Sequence, residues 1–505
     1  MDTNNKKLAK NTGMLYFRMI FLTLINLYAV RVTFNALGEI DYGVYNVVAG
    51  VVASLSILTG AMTSASQRFL AFHLGKKDLR SYSHTFSLLL LAFISISVVL
   101  IIVGESAGYF FVEKWLDIPT DRISAARWVY QTALVGFVFS FITIPYNASI
   151  VANERMDAFA AFSIVEGVMK LGAALWIVQF GGDRLILYGI IIASISIVVF
   201  LMSMQFCHLK FRYCRYIWKW DKAIFMQLSG YTGWNLFGSI SGMLSNQGQT
   251  VLLNIYFGPA VNAAKAIADR ILQVVQSFSV NIYMAAGPQI IKAYAGQDMQ
   301  RALTLVLTTS RLTFLMVYAV SFPVICNVKS ILDFWMGTGN VSPVMTGFSQ
   351  LVLIYCMVFT LEQPITRIIQ ATGEIKRYQF KVGIITLMYI PLAVTVLSLG
   401  ASPVMTLVVQ IAVIAVAQCV RVMVAHRQIG LRYGIYMSDV VYPIARVSLV
   451  SLPLYWAMKD AVLGHGWYGL ALNVALTGLM GFFIAVMVGL NAGDRAMIWK
   501  LVRRR

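Results

Sequence analysis

The fold class is decided by a stretch of 22 residues without a charged side chain, residues 185–206, LILYGIIIASISIVVFLMSMQF. A second stretch, residues 85–104, TFSLLLLAFISISVVLIIVG, is likewise free of charge. Because a helix rises about 1.5 Å per residue, about 20 apolar residues cross the hydrocarbon core of a bilayer. Both stretches are therefore predicted to be transmembrane helices.

The composition of the whole chain agrees with a membrane protein. Of the 505 residues, 59% are hydrophobic and 12% are charged, whereas soluble proteins carry about 25% charged residues. The formal net charge is +19, and a basic chain this apolar is expected around a membrane rather than around nucleic acid. The five cysteines form no CxxC pair and the five histidines are scattered. No disulfide framework, metal site or cofactor is therefore predicted.

The hydrophobic pattern along the chain predicts an all-α polytopic membrane protein with about 14 transmembrane helices. The predicted spans are residues 14–37, 43–66, 82–104, 124–150, 158–180, 185–207, 230–257, 260–289, 302–326, 344–366, 379–400, 402–425, 440–459 and 466–490. Between them the chain has no room for a soluble domain of 50 residues, and it contains no GxxxxGK[ST] phosphate loop. An enzyme is therefore not expected.

The basic residues predict the orientation in the membrane. With the N-terminus placed inside, 27 Lys and Arg residues lie on the inner side, five lie in outer loops and eight lie within spans. Cytoplasmic loops of membrane proteins carry the excess of Lys and Arg. Both termini are therefore predicted to be cytoplasmic, and the inner basic loops are also expected to contact anionic lipids.

The chain contains an internal repeat at an offset of 220 residues. The matching positions include Thr12-Gly13 with Thr232-Gly233, Phe17 with Phe237, Asn26 with Asn246, Gly38 with Gly258, Asp78 with Asp298, Trp115 with Trp335, and, after a one-residue slip, Pro145 with Pro364 and Ala152 with Ala371. Each copy holds six spans, which predicts two parallel six-helix lobes, residues 1–220 and 221–439, followed by two additional helices and a basic tail, residues 440–505. Such duplication is typical of transporters that alternate access around a midplane cavity.

Ionisable side chains within spans are costly and are therefore candidates for function. Basic groups outnumber acidic ones by eight to three, so a wet cavity suited to an anionic cargo is expected. The set comprises Arg18, Arg31, Arg127, Glu166, Lys170, Lys265, Asp269, Arg270, Arg311, Glu362 and Arg446. Arg127, Glu362 and Arg446 lie near span ends, where snorkelling to the headgroups explains them, and Glu166 and Lys170 are spaced to pair on one helical face.

Amide and charged side chains follow a helical rhythm on the seventh and eighth spans. The eighth span carries Asn262, Lys265, Asp269, Gln273 and Gln276, and the seventh carries Asn235, Asn246 and Gln249. These faces are predicted to line the cavity. Hydrogen bonding between helices is the alternative explanation, and for the seventh span the two stand level.

Several short stretches carry a resemblance to a known family. They are residues 38–43 (GEIDYG), 67–69 (QRF), 75–78 (GKKD), 262–269 with Pro288 and Lys292, 370–373 (QATG) and 376–378 (KRY). Over essentially its whole length the chain resembles the Wzx-type O-antigen and polysaccharide flippases of the multidrug/oligosaccharidyl-lipid/polysaccharide exporter superfamily.

The resemblance implies a flippase of a bacterial inner membrane that translocates undecaprenyl-pyrophosphate-linked oligosaccharide for O-antigen or polysaccharide biosynthesis. It implies that Arg18, Arg31, Lys265, Arg270 and Arg311 bind the pyrophosphate. It also implies coupling to protons or sodium, for which Asp269, Glu166 and Lys170 are the candidates. The expected partners are the lipid-linked substrate, membrane lipids and the polysaccharide polymerase machinery, with no nucleic acid and a functional monomer.

Two alternatives to the flippase remain. A multidrug exporter of the same superfamily would expel small, often cationic compounds and would be expected to carry acidic groups in its cavity. A membrane glycosyltransferase or polymerase would need a sizeable outer loop with catalytic side chains, and the predicted outer loops are no longer than about 20 residues.

Overall fold

The computed structural model describes residues 3–53, 57–114, 120–215, 217, 221–336, 341–458 and 466–490. Within these residues the chain is helical and contains no strand. The helices are α1 (Thr3–Ala53), α2 (Ile57–Gly75), α3 (Leu79–Lys114), α4 (Ile123–Ala152), α5 (Met156–Ile177), α6 (Arg184–Lys210), α7 (Lys222–Phe257), α8 (Pro259–Ala295), α9 (Met299–Met336), α10 (Pro343–Phe359), α11 (Glu362–Thr372), α12 (Lys376–Leu387), α13 (Tyr389–Ser398), α14 (Met405–Ile429), α15 (Tyr433–Tyr436), α16 (Tyr442–Met458) and α17 (Gly466–Ile484).

The predicted all-α, multi-pass membrane architecture is confirmed. Each of the fourteen predicted spans coincides with helical residues, and ten helical stretches of the described chain are long and apolar enough to cross a membrane. The other four predicted spans lie on α1, α2, α7 and α8, which carry more polar side chains. These are the first two spans of each half of the repeat, so the polar helices occupy equivalent places in the two halves.

The chain divides into two compact units, Met1–Leu236 and Phe237–Arg505. In the first unit α4 packs against α2, α3 and α6, while α1 packs against α5. The division falls inside α7, so this helix begins in one unit and ends in the other. The three-part division at residues 220 and 439 stays a prediction.

The second unit is organised around α8, α9 and α14. Helix α8 packs against α9, α10 and α11, and α14 packs against α10 to α13. The two additional helices, α16 and α17, pack against α9. The hydroxyls of Tyr318 and Ser451 are 2.5 Å apart, and the Asn327 Nδ2 donates to the Thr477 Oγ1 at 3.1 Å. The additional helices therefore belong to the packing of the second unit.

The internal repeat is visible in the backbone. Gly38 has φ 79° and ψ 173°, and Gly258, 220 residues later, has φ 77° and ψ −174°. Lys77 and Gln297 are also 220 residues apart, and both have positive φ, at 58° and 62°. Non-glycine residues rarely adopt positive φ. Its recurrence at the repeat offset shows that both copies turn the chain in the same way at these corners.

Two predicted spans are interrupted rather than continuous. The span predicted at residues 344–366 consists of α10 and α11, separated by a turn at Thr360 and Leu361. The span predicted at 379–400 consists of α12 and α13, separated at Met388. Hydrophobicity identifies an apolar segment, but it does not reveal a local break whose carbonyls are satisfied by neighbouring side chains.

Candidate functional site

In the first unit, the predicted binding residue Arg18 lies where α1 packs on α5. Its Nη1 donates to the Ser163 Oγ at 3.0 Å, and its guanidinium lies 4.7 Å from the centre of the Phe159 ring. Glu166 is within electrostatic range of Arg18. Glu166 also accepts from the Lys170 Nζ at 2.6 Å, one helical turn away. The predicted pairing of Glu166 with Lys170 is present, and Arg18 lies next to it.

In the second unit, the predicted binding residue Lys265 forms an ion pair with Asp269. The Lys265 Nζ lies 2.6 Å from the Asp269 Oδ2 along α8. Only 10% of the Lys265 side chain is exposed, against 37% of the Asp269 side chain. Arg270, the next residue, is exposed. Neighbours on a helix point about 100° apart, so Arg270 faces away from this pair.

The other two predicted pyrophosphate ligands are placed differently. Arg311 on α9 is buried, and its Nη1 donates to the Asp439 backbone carbonyl at 2.7 Å. Asp439 belongs to the π-helical turn Met437–Val441 that precedes α16. Arg311 therefore joins α9 to the additional helices. The side chain of Arg31 lies outside the described residues.

The amides of the seventh span join helices. The Gln410 Nε2 donates to the Asn246 Oδ1 at 3.0 Å, and the Gln249 Nε2 donates to the Thr406 Oγ1 at 3.2 Å. Both bonds connect α7 to α14. For Asn246 and Gln249, the structure thus favours hydrogen bonding between helices over the lining of a cavity.

The remaining predicted polar residues differ in exposure. Asn235 is buried, in the part of α7 that belongs to the first unit. On α8, Gln273 is exposed, whereas Asn262 and Gln276 are half-buried. The buried Asn262 Oδ1 has no hydrogen-bond partner among the described residues. Their assignment to a cavity stays a prediction.

The break between α10 and α11 is a feature that the sequence did not reveal. Thr360 and Leu361 interrupt the helix within an otherwise apolar span. The Gln418 Nε2 of α14 donates to the Leu361 carbonyl at 2.9 Å, and the Tyr283 hydroxyl of α8 donates to the Thr360 carbonyl at 3.4 Å. Neighbouring helices thus satisfy two carbonyls that a helix break exposes.

Glu362 begins α11 directly after this break and forms an ion pair with Arg421 of α14. The Arg421 Nη2 lies 2.7 Å from the Glu362 Oε2, and only 5% of the arginine side chain and 20% of the glutamate side chain are exposed. The Arg421 Nε also donates to the Tyr378 hydroxyl at 3.4 Å. The prediction that Glu362 snorkels to the headgroups is therefore wrong, because an internal cation holds it within the protein.

The two ion pairs of the second unit converge on one tyrosine. Tyr355 of α10 is within electrostatic range of Glu362, Arg421 and Asp269. We call this set the paired-charge cluster: Lys265, Asp269, Tyr355, Glu362 and Arg421. Each of its two carboxylates has its own basic partner.

Sequence reasoning missed Arg421 because it was counted with the cytoplasmic basic residues at the inner end of its span. One local signal for the break was present. Pro364 stands two residues after Glu362, and proline is tolerated in the first turn of a helix but not in its interior. A proline in the middle of an apolar span therefore indicates either a kink or a new helix start.

No group of three His, Cys, Asp or Glu side chains that could hold a metal ion occurs among the described residues. Cys207 and Cys214 are buried, free and close together in the first unit. The Cys207 Sγ donates to the Tyr146 carbonyl at 3.5 Å, and the Cys214 Sγ donates to the Ser149 Oγ at 3.6 Å. These thiols are part of the packing between α4, α6 and the segment that follows α6.

The chain is similar to solved membrane transporters. No family model matches the sequence, and no curated protein matches it. The structure is similar to an outward-facing multidrug resistance MATE family transporter of the MOP superfamily, with a TM-score of 0.72, 12% identity, and coverage of 85% of this chain and 96% of that chain.

Two further solved structures show the same likeness. One is a MOP superfamily transporter from Pyrococcus furiosus, described as having a binding pocket of reverse polarity that suggests a different function, with a TM-score of 0.71 and 13% identity. The other is a MATE protein in a bent conformation, with a TM-score of 0.69 and 14% identity. Both alignments cover 85% of this chain and 96% of the other chain. The protein therefore has the fold of the MATE family transporters of the MOP superfamily.

Proposed function

We propose that this chain is a membrane transporter, not an enzyme, and that it moves its cargo by alternating access. The observation that carries the proposal is the likeness to solved transporters over 85% of the chain. The polar helices at equivalent places in the two repeats support it, since repeats with polar midplane helices are typical of transporters. The ionisable residues within the spans add further support.

The first candidate for the cargo is a small organic compound that is expelled from the cell. The structural neighbours support this cargo more directly than lipid flipping, because one of them is a multidrug resistance transporter. The carboxylates Glu166, Asp269 and Glu362 would then attract a cationic compound. In this structure each of them has a basic partner, so such a compound would have to compete with that partner.

The second candidate is a polyprenyl-pyrophosphate-linked oligosaccharide, and the charge within the spans favours it. The three span carboxylates pair with Lys170, Lys265 and Arg421. The other basic side chains of the spans, including Arg18 and Arg270, therefore leave a positive surplus. A pyrophosphate that leaves water needs such a surplus to replace its hydration.

One pair of assays separates the two candidates. The purified chain is reconstituted in liposomes with a polyprenyl-pyrophosphate disaccharide, and accessibility to an impermeant sugar-oxidising enzyme is followed. In parallel, ethidium efflux is measured in cells that lack their own exporters. Flipping without efflux supports the second candidate and efflux without flipping supports the first. A folded chain that does neither, and carries no other lipid or compound tested, contradicts the transport proposal.

The flippase candidate makes a further demand on single residues. Arg31→Ala, Lys265→Ala and Arg270→Ala are each expected to reduce flipping strongly, because each removes a cation proposed to bind pyrophosphate. Arg446→Ala is the matched control, since Arg446 is exposed and lies 4.4 Å from the Tyr442 ring on its own helix. Normal flipping by all three variants would remove the cationic binding site from the proposal.

The cellular setting is proposed on the same basis. The protein would lie in a bacterial inner membrane with both termini in the cytoplasm, as the basic loops predict. It would act as a monomer without a resident cofactor. The energy source would be a proton or sodium gradient, and for the flippase candidate the product would pass to the polymerase machinery.

A further inference from the structure

The break between α10 and α11 has the general form of a cation site. Unwound backbone within a membrane leaves carbonyl oxygens without helical partners, and transporters use such oxygens, together with carboxylates, to coordinate monovalent cations. Here the break at Thr360 and Leu361 is followed at once by the carboxylate of Glu362. An alkali cation would be expected to bind oxygens of this kind.

In this chain, however, the same oxygens are occupied by donors of the protein itself. The Leu361 carbonyl accepts from Gln418 and the Thr360 carbonyl accepts from Tyr283. The Glu362 carboxylate accepts from Arg421 at 2.7 Å. An alkali cation has no hydrogen to donate, so it would have to displace these donors before it could bind.

The charge of the break is also balanced from within. A guanidinium stays protonated under all ordinary conditions, so the Glu362–Arg421 pair is neutral as a whole. Glu362 stands at the positive end of the α11 dipole, which favours its ionised form. A second cation placed here would be repelled by Arg421, whose side chain is only 5% exposed and is poorly screened by water.

The neighbouring carboxylate follows the same arrangement. Asp269 accepts from the Lys265 Nζ at 2.6 Å, and only 10% of that lysine side chain is exposed. Tyr355 links the two pairs electrostatically. Both carboxylates of the paired-charge cluster are thus neutralised by cations that are covalently part of the chain.

We propose that Arg421 is a tethered counter-cation, which fills the place of an alkali ion at the α10–α11 break and thereby makes the second unit independent of sodium and potassium. Arg421 is in this sense a residue that determines ion specificity. The inference goes beyond the proposed transport function and does not depend on the cargo, because it concerns the binding of an ion to the resting protein. It leaves open only non-alkali coupling, by protons, at this site.

Removing the guanidinium should expose the site that it fills. In Arg421→Met, Glu362 and the break lose their cation while most of the apolar stem is kept. A buried carboxylate without a partner binds a cation or takes up a proton. We expect the variant to be less stable than the native chain and to recover part of that loss in a saturable, sodium-dependent manner.

The test is thermal unfolding of the purified full-length protein in detergent, at neutral pH and constant ionic strength, in choline, sodium and potassium chloride. The native midpoint is expected to be the same in all three salts, whereas that of Arg421→Met rises by several degrees with sodium. Adding Glu362→Gln to this variant should abolish the rise. Arg446→Met, which removes an exposed arginine from another span, is the matched control and should show no sodium response.

Two results would overturn the proposal. One is a saturable sodium-dependent stabilisation of the native chain that Glu362→Gln removes, because a mobile ion would then occupy the break. The other is a folded Arg421→Met protein whose midpoint is indifferent to sodium and potassium. If Arg421→Met does not fold, Arg421→Lys and Glu362→Gln take its place. Native-like, salt-independent midpoints for Arg421→Lys then support the proposal, and a sodium response in Arg421→Lys that the native chain lacks contradicts it.

Discussion

At the scale of single residues, two glycines determine how each half of the repeat begins. Gly38 and Gly258 both combine φ near 78° with ψ near 180°, a region that is essentially restricted to glycine. A Cβ at either position would meet no atom within 4 Å. The requirement for glycine therefore lies in the backbone conformation and not in a lack of space.

We expect Gly38→Ala and Gly258→Ala each to lower the free energy of unfolding by about 1–3 kcal/mol, because alanine is strained in this backbone region. Gly43→Ala is the matched control. Gly43 lies within α1, has ordinary helical φ and has open space around its Cα, so alanine there should be neutral or slightly stabilising. The measurement is the thermal midpoint in detergent, and equal midpoints for all three variants would show that the corners are not strained by a Cβ.

At the scale of elements, the two copies of the repeat cap equivalent helices in the same way. The Asp78 Oδ1 accepts from the Ser81 backbone N–H at 3.0 Å at the start of α3. The Asp298 Oδ1 accepts from the Arg301 backbone N–H at 3.1 Å at the start of α9. An aspartate in this position satisfies a helix N–H that has no carbonyl partner. The match of Asp78 with Asp298 in sequence therefore reflects a shared capping requirement.

Removing either cap should destabilise its helix. We expect Asp78→Ala and Asp298→Ala each to cost about 1 kcal/mol of stability, whereas Asp78→Asn and Asp298→Asn, which keep an acceptor oxygen, should be close to the native protein. Chemical or thermal unfolding of the four variants measures this. Equal losses for the Ala and Asn variants would mean that the charge, and not the hydrogen bond, is what stabilises the helix.

The capping interaction of Asp78 also predicts a dependence on pH. Hydrogen bonds from the side chain and backbone of Ser81 lower the pKa of Asp78 below its usual value. A carboxyl group whose pKa is lowered by folding contributes stability above its unfolded pKa of about 4, and that contribution is lost as the pH falls through the folded pKa. The difference in stability between the native chain and Asp78→Asn should therefore narrow below about pH 4. A difference that stays constant down to pH 3 would contradict it.

The sequence predicted the elements far better than the contacts between them. The fourteen spans and the repeat follow from local properties, namely charge-free stretches such as residues 185–206 and turn residues such as Gly38 and Gly258. The ion pair between Glu362 and Arg421 joins residues 59 positions apart. No local pattern determines such a pair, because it depends on how α11 packs on α14.

The same limit applies to the predicted binding residues. Spacing along α8 correctly placed Lys265 and Asp269 one turn apart, where they pair. It could not show that Arg311 would bond a backbone carbonyl near the start of α16 or that Asn246 would bond Gln410. Burial and partners in a membrane protein are decided by neighbouring helices, and several of the predicted cavity residues turned out to have such partners.

At the scale of the whole molecule, the distribution of basic residues should set the orientation in the membrane. Of the 40 Lys and Arg residues, 27 lie on the predicted inner side and five in outer loops. Translocating a basic loop is unfavourable, so the side richer in Lys and Arg stays in the cytoplasm. The turn between α2 and α3 should then be cytoplasmic, and the turn between α5 and α6 should face outward.

Two single cysteines in the full-length chain test this orientation in intact cells. Lys76→Cys lies in the turn after α2 and Gln179→Cys in the turn after α5, and both positions are exposed. A membrane-impermeant maleimide should label Gln179→Cys strongly and Lys76→Cys only after the membrane is permeabilised, while the native chain measures the background from its own five cysteines. Labelling in the opposite order would invert the molecule. It would then mean that the 27 basic residues face outward, so that the predicted inner charge would no longer be a topology signal and would itself need a functional explanation.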